Sequence, residues 1–281
     1  MIFHKSYQDL WNPASMASQC KPCCMRLLLP VLIAGCMQAN ERPSDQLLPS
    51  LSTTKDSFVN FSNDSWAYFL QHLPITKGVI LDYQGKPIAN QSKQAGILAF
   101  DVGKRDLQQC ADGLMRLRAE YLFEQRRYPE IGFHFTNGQY YSFTAYCNGR
   151  RPLSKGNTIQ YISAAPVPVS HQALRAYLDI VYTWAGTISL YHHLKPASDF
   201  GVGVVIIKPG SPGHCCIIVD EKINAKGERL FKLVEGYTPA QTMYVVSNPM
   251  NPSINPWYAL QKGTITTASY QFEDYALRRF E

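Results

Sequence analysis

The chain has 281 residues, 46% of them hydrophobic and 17% charged, with a net charge of +6. That is an ordinary globular composition with ample material for a core. The positive charge is modest and dispersed, and no Lys/Arg block is dense enough to suggest a nucleic-acid groove, so no nucleic-acid partner is expected.

The eight cysteines do not form a disulfide framework, because Cys20, Cys23, Cys24 and Cys36 fall at the amino terminus and only Cys110, Cys147, Cys215 and Cys216 belong to the body. Cys20-Lys-Pro-Cys23 has CxxC spacing but no second pair and no nearby His, which argues against zinc. Residues 25–36, MRLLLPVLIAGC, combine a basic start, an apolar run and small residues before a cysteine. The run is too short to span a bilayer, which takes about 20 apolar residues. It resembles a bacterial lipoprotein signal: Ile33-Ala34-Gly35-Cys36 is similar to a lipobox, with Lys21 and Arg26 as the positive flank and Met16 or Met25 as other starts. That resemblance implies lipidation at Cys36 and a protein anchored to a membrane outside the cytoplasm. Residues 37–57 are polar and contain Pro and Ser, as a tether would.

Residues 58–281 then read as one domain. The spacing of Phe58, Phe61, Trp66, Phe69, Leu70 and Leu73 predicts a short helix over 58–73, ended by Pro74. GVILDY (78–83) and AGILAFDV (95–102) read as strands about a turn at 84–87. Residues 101–124 carry Leu107, Cys110, Ala111, Leu114, Leu117, Tyr121 and Leu122 at three- and four-residue spacing, which predicts an amphipathic helix with Asp106 as its N-cap. Cys110 then sits in the first full turn, where the helix dipole favours a thiolate.

IGFHFTNGQYYSFTAY (131–146) reads as a hairpin about a type I′ Asn137-Gly138 turn, with His134 as a structural residue and Cys147 just beyond it. Residues 172–194 predict a second long helix with a break or close packing point at Gly186; His192 and His193 are adjacent, so they do not form a helical metal clamp. Asp101, Asp106 and Asp112 lack the spacing of a calcium loop and read as capping residues. No metal and no cofactor is expected.

Residues 201–207 form a buried-strand run, the loop 208–213 follows, and 214–220 and 229–235 read as a second hairpin. Pairing Asp220 with Arg229 would set His214 opposite Glu235. Cys215 and Cys216 would point to opposite faces, and a disulfide between them would be strained. Residues 248–257 read as a covering loop and 270–280 as an aromatic strand or helix.

A thiol at a helix start, a His opening a strand and a carboxylate on the neighbouring strand form a nucleophilic constellation: the thiol attacks, the His takes its proton and the third group orients the imidazole. Here that assigns Cys110, His214 and Glu235, with Gln241 or Asp220 as other orienting groups and helix-start N–H groups as oxyanion donors. The order Cys, His, polar residue, in QCADGL (109–114) and GHCCIIV (213–219), resembles papain-like cysteine peptidases of the NlpC and CHAP kind. That resemblance implies cleavage of cell-wall peptides or related amides.

The runs DVGKRDLQQCADGLMRLRAEYLF, FHFTNG, YTWAGTISL, GSPGHCCIIVD, GYTPAQ and NPWY resemble, over most of the body, a family of bacterial secreted proteins classified as a domain of unknown function. Against that pattern, Gly203-Val204 replaces a Gly-Asp and Glu235 replaces a Gln.

The expected fold is therefore α+β, papain-like in type, with two substantial helices against a mainly antiparallel sheet. The expected function is a lipid-anchored cysteine hydrolase of the envelope. The other reading is a non-catalytic lipoprotein binding glycan or peptide in the same cleft, with the aromatic 131–146 run suited to sugar stacking.

Overall fold

The structure is a computed structural model that describes residues 55–155 and 158–281. The leader, Cys36 and all but the last residues of the expected tether lie outside the described residues. Thr54–Glu281 make one compact unit.

Its frame is a sheet of β2 (Ile75–Thr76), β3 (Gln94–Leu98), β12 (Tyr244–Val246), β11 (Arg229–Glu235), β10 (His214–Ile223), β9 (Val204–Lys208), β16 (Ala276–Arg279) and β8 (Lys195–Pro196), hydrogen-bonded in that order. β1 (Ser57–Phe58) adds to the far end of β10 and β13 (Trp257–Tyr258) to β11; every pairing is antiparallel. Ser57, expected in the tether, is thus part of the sheet. The central strands are buried on both faces, which is why VVII and HCCIIVD read as continuous apolar runs rather than alternating ones.

One face carries the buried cluster of Ile206, Cys216, Ile218, Leu233, Tyr244 and Phe272. Helix α2 (Cys110–Glu124) packs against β10 and β11. It is not amphipathic as expected: Cys110 through Leu122 are all buried. The polar side survives burial because its charges are paired. Arg116, 0% exposed, reaches Glu120 (3.2 Å), Asp101 (2.9 Å) and Gln108 (2.9 Å), and Glu120 also meets His171 (2.8 Å).

Around this frame stand α1 (Trp66–Gln71), α3 (Phe143–Cys147), α4 (His171–Trp184) and α5 (Thr187–His193). The helix expected over 58–73 is only its last part, because Ser65 caps it through Tyr68 N at 3.1 Å and the preceding residues serve the sheet edge. Of the two strands expected around residues 84–87, only Gln94–Leu98 forms; residues 78–83 make isolated bridges. The second long helix breaks at 185–186, as Gly186 suggested.

The aromatic hairpin is shorter than expected: β4 (Gly132–His134) and β5 (Tyr140–Ser142) pair, and Ser142 caps α3. Gly138 takes φ +85 and Asn137 does not take a positive φ, so the turn is a three-residue loop with a left-handed glycine, not type I′. Two further hairpins, β6 (Arg150–Lys155) with β7 (Thr158–Ser163) and β14 (Ile265–Thr266) with β15 (Gln271–Phe272), complete the fold.

The Arg116 network sets the stability of the central helix. Arg116→Ala leaves Glu120 buried without its guanidinium, so urea unfolding is expected to show a loss of about 3–5 kcal/mol. An unchanged midpoint would mean that the network contributes nothing.

Candidate active site

Three neighbouring strands end or begin at one end of the sheet, and each brings a functional side chain there. β10 opens with His214, β11 closes with Glu235 and β12 opens with Tyr244, which pairs directly with Glu235. The expected register of β10 on β11 is two residues out. Ile217 pairs with Val234 and Ile218 with Leu233, then a bulge intervenes before Asp220 meets Lys232, and the turn lies over 224–228. Continued to the strand ends, that register faces Glu235 toward Cys216 and leaves His214 one diagonal step away. A two-residue slip keeps each side chain on its face, so the pair still meets: His214 Nε2 lies 2.9 Å from Glu235 Oε2.

Tyr244 Oη donates to the other carboxylate oxygen, Oε1, and lies 2.9 Å from Ser269 Oγ. Glu235 and Tyr244 are 0% exposed and His214 is 3% exposed. The rings of Tyr270 (4.7 Å between centroids), Tyr237 (5.1 Å) and Phe272 (5.6 Å) enclose the imidazole. Lys93 Nζ sits over the Tyr237 and Tyr244 rings at 4.3 and 4.9 Å.

α2 begins at Cys110 itself, with Gln109 as N-cap, three residues later than the cap expected at Asp106. Asp106 is drawn elsewhere: its Oδ1 accepts from Ala240 N (2.7 Å) and from Gln109 Nε2 (3.2 Å). The cap is made by Asp112 Oδ2, which accepts from Gln109 N at 3.1 Å. Thr238 Oγ1 donates to Gln109 Oε1 at 3.1 Å, so the GYTPA segment after β11 latches the helix start to the strand end. Two glycines permit this closeness. A Cβ on Gly236 would lie 3.0 Å from Gln109 O, and one on Gly113 would lie 2.9 Å from Met243 Sδ.

Cys110 is thereby the first helical residue, where the N–H groups of Cys110, Ala111 and Asp112 lack intrahelical partners and the dipole is positive. Hydrogen bonding from Cys215, then from His214, with the positive imidazole and Ala111 N–H, outweighs burial and holds the Cys110 thiol well below the ordinary range. Burial alone would lower His214, but its hydrogen bonds to Cys110 and Glu235 and the negative charge of both raise it to about 9. With Nε2 committed to Glu235, the imidazole has Nδ1 to offer the sulfur. Cys215 and Cys216 are free thiols, and burial pushes both well up. These opposite shifts favour a thiolate–imidazolium pair beside a cleft of about 500 Å³ that Cys110 and His214 both line.

Other candidates fall elsewhere. Gln241 is 1% exposed in the segment before β12, bridges to Asp82 and does not line the cleft. Asp220 sits at the bulge of β10, bound to Gln71 Nε2 and Lys232 Nζ at 2.9 Å each. Cys147 is buried at the end of α3. His134 and His193 contact each other, Nδ1 to Nδ1, at 3.1 Å; Asp101 pairs with Arg116. Among the described residues no group of three or more His, Cys, Asp or Glu could hold a metal ion. Tyr244, Ser269, Lys93 and the contact of Cys215 with Cys110 have no local signal in the sequence, because each arises across strands.

These features define a mixed α/β protein with a mainly antiparallel sheet and a Cys–His–Glu site at the start of its central helix. Residues 53–279 match the family described as Domain of unknown function (4846), and the chain belongs to that family. No curated protein matches the chain, and no solved structure does.

The coupling between Glu235 and the thiol is testable by titration. Glu235→Gln keeps the shape but removes the charge that supports the imidazolium, so the acid limb of Cys110 alkylation should move up toward the ordinary thiol value of about 8.5. A limb that does not move would show that Glu235 does not act on the thiol.

Proposed function

We propose that the protein is a cysteine hydrolase of the cell envelope, papain-like in type, that cleaves an amide or peptide bond. The observation that carries this reading is Cys110 at the first position of a buried helix, its thiol held low by hydrogen bonds from Cys215 and from His214, whose far nitrogen is anchored on Glu235. A structural cysteine in an apolar core is pushed the other way, as burial pushes Cys215 and Cys216 up.

The chemistry follows from the atoms present. The Cys110 thiolate adds to the carbonyl carbon, and Cys110 N–H and its helix-start neighbours are the donors placed for the oxyanion. The imidazolium gives its proton to the departing amine, and neutral His214 then takes a proton from the water that hydrolyses the thioester. Glu235, held by Tyr244, keeps the ring oriented through both transfers.

The signal-like residues 25–36, with Cys36 as the lipidated residue, support placement on a membrane outside the cytoplasm. Among the described residues no helix is long and apolar enough to cross a membrane. A cell-wall peptide is the substrate such a location favours. The glycan-stacking alternative loses its main support: Phe133, Phe135, Tyr141 and Phe143 of the aromatic hairpin are all buried, which leaves Tyr140 as its exposed ring.

Purified peptidoglycan incubated with the protein should release new amino termini. Cys110→Ala and His214→Ala should each lose about 10³-fold or more in rate. Unchanged release in Cys110→Ala would contradict the mechanism, and retention of the polymer without cleavage would favour the binding reading.

A further inference from the structure

Two residues that line the cleft beside Cys110 carry buried polar atoms that the mechanism does not use. Asp112 is 6% exposed; its Oδ2 accepts the Gln109 N–H, while its Oδ1 has no hydrogen-bond partner among the described residues. Tyr182, from α4, is 5% exposed; the Arg175 guanidinium can only donate to its hydroxyl, whose own proton finds no acceptor among the described residues. Both residues line the cleft with Cys110 and His214. A buried polar group with unmet hydrogen-bonding capacity costs free energy, so an unmatched carboxyl oxygen and an unmatched phenol proton in the lining of one cleft call for a common reason.

We propose that Asp112 and Tyr182 form a substrate subsite that donates two hydrogen bonds to an acceptor oxygen, either the carbonyl of a neighbouring amide or a carboxylate. This deepens the hydrolase reading and rests on it. Burial, reinforced by the negative charge of Cys110 against the opposing Gln109 N–H bond, raises the Asp112 carboxyl well above the ordinary range, which favours the protonated acid. Oδ2 is already an acceptor, which leaves the O–H on Oδ1. A protonated acid acting as a donor in a dry site has precedent in enzyme chemistry. Burial raises Tyr182 too, and its phenol keeps its proton, although Arg175 and Arg116 pull against that rise. The guanidiniums are already paired with Asp101 and Glu120, and the imidazole with Glu235 and the Cys110 sulfur, so the two donors rather than a net charge set the preference. An acceptor oxygen is at home there and an ammonium group is not.

Three thiol reagents that differ in head group separate the possibilities: iodoacetamide (amide carbonyl), iodoacetate (carboxylate) and bromoethylamine (ammonium). The full chain is labelled with each near neutral pH, the Cys110 peptide is quantified, and rates are divided by those of glutathione. In the wild type, one or both oxygen-bearing reagents should be favoured over bromoethylamine, and which of them leads tells amide from carboxylate. Tyr182→Phe, which keeps the packed ring, and Asp112→Leu should each cut that preference about fivefold, the worth of one hydrogen bond. Asp112→Asn should retain it, because its Nδ2–H donates from the same place.

A preference for bromoethylamine that vanishes in Asp112→Asn would overturn the proposal in favour of a cation site. A preference unchanged by all three substitutions would overturn it as well, while leaving the hydrolase reading intact. If no reagent labels Cys110 in the folded chain, the hydrolase reading fails and the subsite with it.

Discussion

The contact between His214 Nε2 and Glu235 Oε2, 2.9 Å long and almost wholly buried, is the constraint to which the site's other parts answer. A buried charge pair repays its desolvation only when the remaining lone pairs and protons are satisfied as well. Here the second carboxylate oxygen takes the Tyr244 hydroxyl, and the second ring nitrogen has the Cys110 sulfur to face. Removing any member leaves another unpartnered in a dry site. The arrangement therefore behaves as one unit running from Ser269 through Tyr244, Glu235 and His214 to Cys110.

That unit needs a helix end delivered to a strand end, and the fold is built to do so. The Arg116 network lets a helix with polar residues on one side be buried along most of its length. Gly236 and Gly113 remove the atoms that would hold the helix off the sheet, and the bonds of Asp106 and Gln109 to the 238–240 segment fix where the first turn begins. The low thiol is a product of this placement. Cys215, the next residue after His214, has the same chemistry with the opposite tendency because burial, its hydrogen bond to Cys110 and the negative charge of that sulfur all push it up.

Residue type and local order made Cys110, His214 and Glu235 legible in the sequence, as did the strand, loop, strand run from 201 to 220. The pairing of His214 with Glu235 was reached through a register two residues off. It held because strand periodicity is two and diagonal neighbours can touch. What was not legible depends on long-range partners. Asp106 has the look of a local N-cap, but its carboxylate is taken by Ala240 N, 134 residues away, so the helix starts at Cys110. Phe58 has the spacing of a helix face, but its backbone pairs with Lys222. Tyr244 carries no motif and becomes part of the site only when β12 is laid beside β11.

The most direct measurement is the pH profile of Cys110 alkylation by iodoacetamide between pH 5 and 9 in the folded wild type and in His214→Ala, with Cys110→Ser as the blank. A thiolate–imidazolium pair predicts labelling that is already rapid below pH 7 in the wild type, with an acid limb displaced far upward in His214→Ala. Labelling of Cys110 only after denaturation, or the same profile in both proteins, would contradict the account.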